Sequence, residues 1–169
     1  LNATSVFVTH DQMEAMSLSD YIIVMDKGKI MQFGTPEEIY NNPANFFTAS
    51  FVGSPQINYY YCKVSDNTIL IEQNLKIDNY FNIPEGEYII AIRPEKMIIN
   101  QEIDQSIKLK GKVIFYDNLG SHFILNILLS DKVTIRVIYG EKISRNQEVQ
   151  ISIPLSSVFW FDKEGKRVR

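Results

Sequence analysis

Few side chains in this chain could do chemistry, and they lie far apart in the sequence. The 169 residues include two histidines, His10 and His122, and one cysteine, Cys62. A single cysteine excludes an internal disulfide, and no second histidine or cysteine lies at metal-ligand spacing from His122. We therefore predict no metal site, and we interpret Cys62 as a small core residue.

His10 stands at a junction between two predicted elements. It follows the segment 4–9, which is apolar, β-branched and not alternating, as in a strand buried on both faces. A helix signal comes directly after it, with Thr9 or Asp11 as the N-cap. These residues alone leave two interpretations of His10 open. It could be a functional side chain, or a structural histidine whose hydrogen bonds are satisfied within the protein.

The elements after this junction complete a first module. The pattern predicts a strand over 21–26, a hairpin turn, and a returning strand over 29–33. Thr35 as N-cap with proline at the first helical position predicts a helix that ends at 41–43. A last short helix over 44–52 ends at Gly53. About fifty residues cannot enclose a buried parallel sheet, so we interpret this module as the end of a larger α/β domain.

The net charge and the pattern of apolar residues both change near Gly53, from helical groups before it to short β-branched and aromatic runs after it. Residues 1–53 hold two lysines and six acids, a net charge of −4, whereas residues 54–169 hold fifteen basic and fourteen acidic residues, a net charge of +1. We therefore predict two domains, 1–53 and 54–169. The overall charge of −3 argues against a chain held to nucleic acid by charge alone. No apolar run reaches the ~20 residues that a membrane-spanning helix needs.

The second module reads as all-β. Many short β-branched and aromatic runs are separated by turn signals, a pattern that favours a small barrel or sandwich. The predicted strands are 58–64, 68–72, 87–93, 107–116, 123–129, 133–139, 148–153 and 157–161.

The ordered residues from 4 to 55 carry a resemblance. Val8 to Met16, followed by Ser19-Asp20, resembles the switch-histidine segment of ATP-binding cassette ATPases. The continuation is similar to the importer subfamily that energises carbohydrate uptake, through the stretches 25–30, 34–40, 42–43 and 51–55. The fold class that this resemblance implies is α+β, the truncated tail of an α/β ATPase domain followed by an all-β domain.

The resemblance implies a role for His10. In that family the histidine reaches the γ-phosphate of ATP, so His10 would be both a catalytic and an ATP-binding residue in the intact parent protein. A neutral imidazole can donate a hydrogen bond to a phosphate oxygen and orient the attacking water. The implied cofactors are ATP and Mg²⁺ in the parent. A catalytic glutamate normally works beside this histidine, and it precedes the segment seen here.

Several ATPase motifs are missing from the 169 residues. The Gly-Lys pairs beginning at Gly28, Gly111 and Gly165 lack the remaining residues of a phosphate-binding loop. The Leu-Ser-Gly-Gly-Gln signature is absent, and Lys27 stands where a metal-binding strand would continue into a catalytic glutamate. We therefore expect this chain to be the C-terminal part of an importer ATPase, inactive alone and without a cofactor of its own.

The second module resembles the C-terminal regulatory domain of the same importers, built from oligonucleotide/oligosaccharide-binding-type (OB-type) barrels. The stretches 91–95, 113–121 and 149–162 carry this similarity. His122 departs from it, because relatives often have an acid there. The resemblance implies a homodimer held through the C-terminal domain, transmembrane permease subunits as partners, and a peripheral position at the cytoplasmic face of the plasma membrane, with the fragment alone soluble in the cytoplasm. It favours sugars as cargo, although importers of polyamines, glycerol phosphate or iron carry similar barrels.

Other interpretations remain at this point. A free-standing OB-type barrel could bind a nucleic acid or a small ligand, with bases or sugars stacking on the tyrosines 59–61, although we expect no nucleic-acid partner. Arg93 and Glu95 could pair across the bend at Pro94. The lysine row at 108, 110 and 112 is interpreted as a solvated strand face.

The predicted strand 4–9 has lost the sheet that it would normally join. An apolar strand without a neighbour is a template for pairing with another chain, so we expect it to be covered by a second copy or rearranged against the barrel.

Overall fold

The computed structural model describes residues 4–168. The chain divides into two compact units, one up to Ser54 and the other from Pro55 onward, and each is described by itself. No helix in the described part of the chain is long and apolar enough to cross a membrane.

The first unit contains a hairpin and three short helices. The hairpin turns at Lys27 and Gly28, which have φ values of 47° and 76°, as a two-residue turn of the type favoured between antiparallel strands requires. Beneath it, Val24, Ile39 and Val52 form a small buried core. The elements are α1 (Gln12–Leu18), β1 (Ile22–Asp26), β2 (Lys29–Gly34), α2 (Pro36–Asn41) and α3 (Phe46–Phe51).

The helix ends of this unit follow their sequence signals. Thr35 caps α2, and its hydroxyl and the Glu38 side chain form the predicted capping box, which satisfies backbone N–H groups that the first turn leaves free. Asp11, one of the two predicted caps, caps α1. The predicted helices and the hairpin are therefore confirmed.

The predicted strand over 4–9 is wrong. No strand forms there, and Val6, Phe7 and Val8 are 90%, 67% and 90% exposed. A strand gains its stability from hydrogen bonds and side-chain contacts with neighbouring strands, and none of the described strands pairs with this segment. The expectation that it is covered by a second copy or rearranged against the barrel stays a prediction.

The second unit is all-β, as predicted, and all its strand pairs are antiparallel. The first sheet has the order β12-β6-β3-β4-β5, and the second has the order β10-β9-β8-β11-β7. The strands are β3 (Asn58–Ser65), β4 (Thr68–Ile71), β5 (Leu75–Asp78), β6 (Gly86–Ile92), β7 (Ile98–Ile99), β8 (Ser106–Asn118), β9 (Phe123–Ser130), β10 (Val133–Tyr139), β11 (Glu148–Pro154) and β12 (Val158–Asp162).

One core lies between the two sheets. It takes buried residues from both, with Ile90 and Trp160 from the first sheet and Ile127, Ile135 and Ile151 from the second. The strands of the second unit form a curled sheet with the shape of a half-barrel. These features confirm the α+β class, with helices in the first unit and an all-β second unit; the OB type of the second unit stays a prediction.

The two sheets are also joined by side chains along a line that we call the seam, formed by Asn58 and Tyr60 of β3 and by Thr134 and Arg136 of β10. The Asn58 amide donates to the carbonyl of Arg136 and accepts from its N–H, both at 2.8 Å. The Tyr60 hydroxyl donates to the carbonyl of Thr134. The Asn58 amide thus makes with Arg136 the pair of hydrogen bonds that the backbone of a neighbouring strand would otherwise make.

We predict that Asn58→Ala lowers the free energy of unfolding by about 2 kcal/mol, since it leaves two backbone groups of Arg136 without partners. Urea unfolding followed by circular dichroism measures the change. Asn74→Ala is the control, because Asn74 is exposed and its side-chain amide donates to the carbonyl of the nearby Glu72. Equal losses in the two variants would contradict the importance of the seam.

Strand β8 changes its partner at Lys112, pairing with β11 before that residue and with β9 after it. Gly111 lies at this change. A methyl group added there would lie 2.5 Å from Cγ2 of Ile127 and 2.8 Å from the carbonyl oxygen of Leu128. Only glycine therefore allows β9 to approach β8 this closely.

Gly111→Ala should accordingly destabilise the second unit by about 1–3 kcal/mol, the usual cost of forcing extra atoms into a packed site. Thermal unfolding of the variant tests this. Gly140→Ala is a matched control, because no atom lies within 4 Å of the added methyl position. A Gly111→Ala protein as stable as Gly140→Ala would show that the strands can move apart freely.

Candidate functional site

His10 lies in the segment before α1, and the backbone on both sides of it is held by hydrogen bonds. The Asp11 N–H donates to the Thr9 hydroxyl at 2.9 Å, and that hydroxyl donates to the Glu14 carboxylate at 2.9 Å. The Asp11 carboxylate accepts from the N–H groups of Met13 and Glu14. Two neighbours of His10 are therefore tied to the first turn of α1.

The His10 side chain itself is exposed. Within residues 4–168 no hydrogen bond to its imidazole is found, so both ring nitrogens are available to a ligand or to another protein segment. A neutral imidazole offers one donor and one acceptor. The site can therefore hold a phosphate oxygen or a water molecule, but it offers a single functional side chain.

Helix α1 is anchored to the end of α3 by Gln12. The amide nitrogen of Gln12 donates to the Phe51 carbonyl, and its amide oxygen accepts from the Gly53 N–H at 2.8 Å. This pair of bonds uses the free backbone groups at the end of α3. Sequence reasoning missed this contact, because Gln12 and the end of α3 lie about forty residues apart in the chain.

The other candidate residues belong to the second unit. His122 lies on the β8–β9 turn of the second unit, where its Nδ1 is 3.0 Å from the Ser121 hydroxyl. No group of three potential metal ligands occurs in the part of the chain that the structure describes. Cys62 is buried, and burial raises the pKa of its thiol to about 12, so it is an unreactive core residue.

The remaining candidates of the second unit are a buried arginine and a row of exposed lysines. Arg93 is buried at the end of β6, and its pairing with Glu95 stays a prediction. Lys108 is exposed and forms an ion pair with Glu102 at 2.9 Å, which also lowers the pKa of the Glu102 carboxyl. The lysine row is exposed to solvent, as predicted.

The tyrosine triplet alternates between the interior and the surface of the β unit. Tyr59 and Tyr61 are exposed and meet edge to face, with ring centroids 6.5 Å apart. Tyr60 points inward, and burial raises the pKa of its phenol above the ordinary value. Its hydroxyl is the donor at the seam.

No protein-family model matches the chain, but curated proteins match almost all of it. An ABC transporter ATP-binding protein of Mycoplasma genitalium is 33% identical over 168 residues, 99% of this chain and 28% of that protein. An sn-glycerol-3-phosphate import ATP-binding protein of Vibrio vulnificus is 33% identical over 173 residues, 99% of this chain and 46% of that protein. An ABC transporter ATP-binding protein of Bacillus subtilis is 31% identical over 180 residues, 97% of this chain and 49% of that protein.

The chain thus spans between 28% and 49% of the length of these three relatives. They do not favour the alternative of a free-standing barrel that binds a nucleic acid or a small ligand. Among solved structures, the cytoplasmic molybdate-binding protein ModG is similar over 61% of this chain and 94% of its own, with 11% identity and a TM-score of 0.49. This distant similarity carries no conclusion about ligands.

Proposed function

We propose that this chain, which belongs to the family of ABC transporter ATP-binding proteins, is the C-terminal part of the ATP-hydrolysing subunit of a solute importer. The observation that carries the proposal is the continuous similarity over 97–99% of the chain to ATP-binding proteins of ABC transporters. The exposed imidazole of His10, held between tied neighbours, supports it.

In the longer protein, His10 is proposed to contact the terminal phosphate of ATP. ATP supplies the phosphoryl group, with Mg²⁺ to balance its charge. His10 donates a hydrogen bond from its imidazole to a phosphate oxygen or to the attacking water. The Thr9 and Asp11 bonds keep the backbone around His10 in place, so the imidazole is presented without a large loss of chain entropy.

The β unit is proposed to hold two copies of the longer protein together. A second contact away from the nucleotide sites keeps the effective concentration of the partner high while those sites open and close. The other proposed partners are the permease subunits, which would place the longer protein at the cytoplasmic face of the membrane. Its proposed cargo is a sugar, and the name of the Vibrio relative makes sn-glycerol 3-phosphate the specific alternative.

Two measurements test this proposal. Titration of the 169-residue chain with Mg-ATP should release no heat of binding, because its own sequence contains no phosphate-binding loop, whereas the longer protein should bind and hydrolyse ATP. Sedimentation of the chain should show self-association through the β unit. Micromolar ATP affinity of the 169-residue chain, or a longer protein that does not hydrolyse ATP, would contradict the proposal.

A further inference from the structure

A small cavity lies inside the β unit, between its two sheets. Its volume is about 30 Å³, and its lining is entirely apolar. The lining comes from both sheets, for example from Ile90 and Ile92 of β6 and from Ile107 of β8. A buried water molecule needs two to four polar partners, so this space suits an apolar guest and not water.

Part of the lining of the cavity is partly accessible to solvent. Most of its lining residues are buried, but four of them are only half-buried. These four come from β3, β5, β8 and β9: Tyr60, Leu75, Leu109 and Leu129. A small molecule could therefore enter between these side chains by rotamer changes alone, without unfolding a strand.

One wall of the cavity is an end strand of a sheet. Val133 and Ile135 line it from β10, which is the end strand of the second sheet and has a backbone ladder only with β9. On its other side β10 is held by the seam, where Tyr60 donates to Thr134 and Asn58 bonds to Arg136. Tyr60 thus lines the cavity and fastens its wall.

We propose that this cavity is a binding site for a small uncharged apolar molecule, and that outward movement of β10 enlarges it. A charged or strongly polar guest is disfavoured, because no polar atom of the lining could replace its lost water. The seam sets the size of the guest, since breaking the Tyr60 bond loosens β10 at Thr134, while its ladder with β9 and the Asn58 bonds to Arg136 stay intact. This inference is independent of the ATP-related function.

Xenon is the probe that tests the site, because it is apolar and monatomic and enters dry protein cavities. We expect saturable shifts of the methyl NMR signals of Ile77, Ile92 and Ile135 in the full 169-residue chain under xenon pressure. Methyl groups of the first unit, such as that of Ile39, should not shift. Absence of saturable shifts at the cavity methyl groups would overturn the proposal.

Two variants separate the cavity from its wall. Val133→Ile adds a methyl group to the lining and should abolish xenon binding, whereas Val64→Ile adds the same group to a buried site outside the lining and should leave binding intact. Tyr60→Phe removes the hydroxyl that fastens β10 and should raise xenon affinity about fivefold, the effect of about one lost hydrogen bond. Unchanged affinity in Tyr60→Phe would refute the movable wall, and binding that survives Val133→Ile would refute the site.

Discussion

Replacing His10 with alanine in the longer ATP-binding protein should lower kcat for ATP hydrolysis by about 10²–10⁴-fold, the usual contribution of a positioned proton-transfer or water-orienting side chain. The imidazole would act on the phosphate and the attacking water in the transition state, so KM for ATP should change much less than kcat. Steady-state phosphate release at saturating and limiting ATP measures both constants.

The control for this experiment is His122→Ala. His122 is the other histidine of the chain, it lies in the β unit, and its ring contacts the neighbouring Ser121 hydroxyl. Its removal should leave kcat within about twofold. If His10→Ala hydrolyses ATP as fast as His122→Ala, His10 is a structural residue and the proposed role is wrong.

Trp160→Ala should cost about 3–5 kcal/mol of folding free energy, the range for removing a large aromatic side chain from a core. Trp160 is fully buried and meets two rings edge to face, Phe81 at 5.1 Å and Tyr88 at 6.0 Å between centroids. The loss is of the order of the whole stability of a small domain. Urea unfolding followed by circular dichroism gives the change.

Two further variants make this prediction specific. The indole N–H of Trp160 is buried without a hydrogen-bond partner among the described residues, so Trp160→Phe removes an unsatisfied donor as well as volume and should cost less than half as much. Phe115→Ala removes an aromatic ring that is 50% exposed and should cost less than about 1 kcal/mol. Similar losses in Trp160→Ala and Phe115→Ala would contradict a packing role for the indole.

The predictable part of the fold is the part specified by local chemistry. Eight of the ten strands of the β unit lie where the alternating and β-branched runs predicted them. Strand β5 was missed because the turn before it, at Glu72 and Gln73, uses positive φ values of 47° and 58° without a glycine. Strand β7, Ile98–Ile99, is too short to show a period, since it exists only through its pairing with β11.

The unpredictable part depends on distant partners. The apolar segment 4–9 has the composition of a buried strand, but a pattern cannot say whether the neighbouring strands are part of the same 169 residues. Asn58 likewise reads as an ordinary polar residue at a strand start, and only the meeting of β3 with β10 shows what its amide does. Both cases turn on contacts between residues far apart in the sequence.

The candidate site was predictable in position, because the apolar run, His10 and the helix cap are adjacent in the sequence. The structure adds that the neighbours of His10 are tied and that its side chain is exposed. It does not bring a second functional side chain to His10. Chemistry at this site therefore has to be tested in the longer protein.

The place of the single indole has a practical consequence for optical work. Because Trp160 belongs to the β unit, intrinsic fluorescence excited at the red edge of protein absorption reports when that unit opens and is blind to the helical one. Far-ultraviolet dichroism near the helical minimum responds to both. A stopped-flow record of the two signals would therefore show whether the units unfold together or in sequence, without any attached dye.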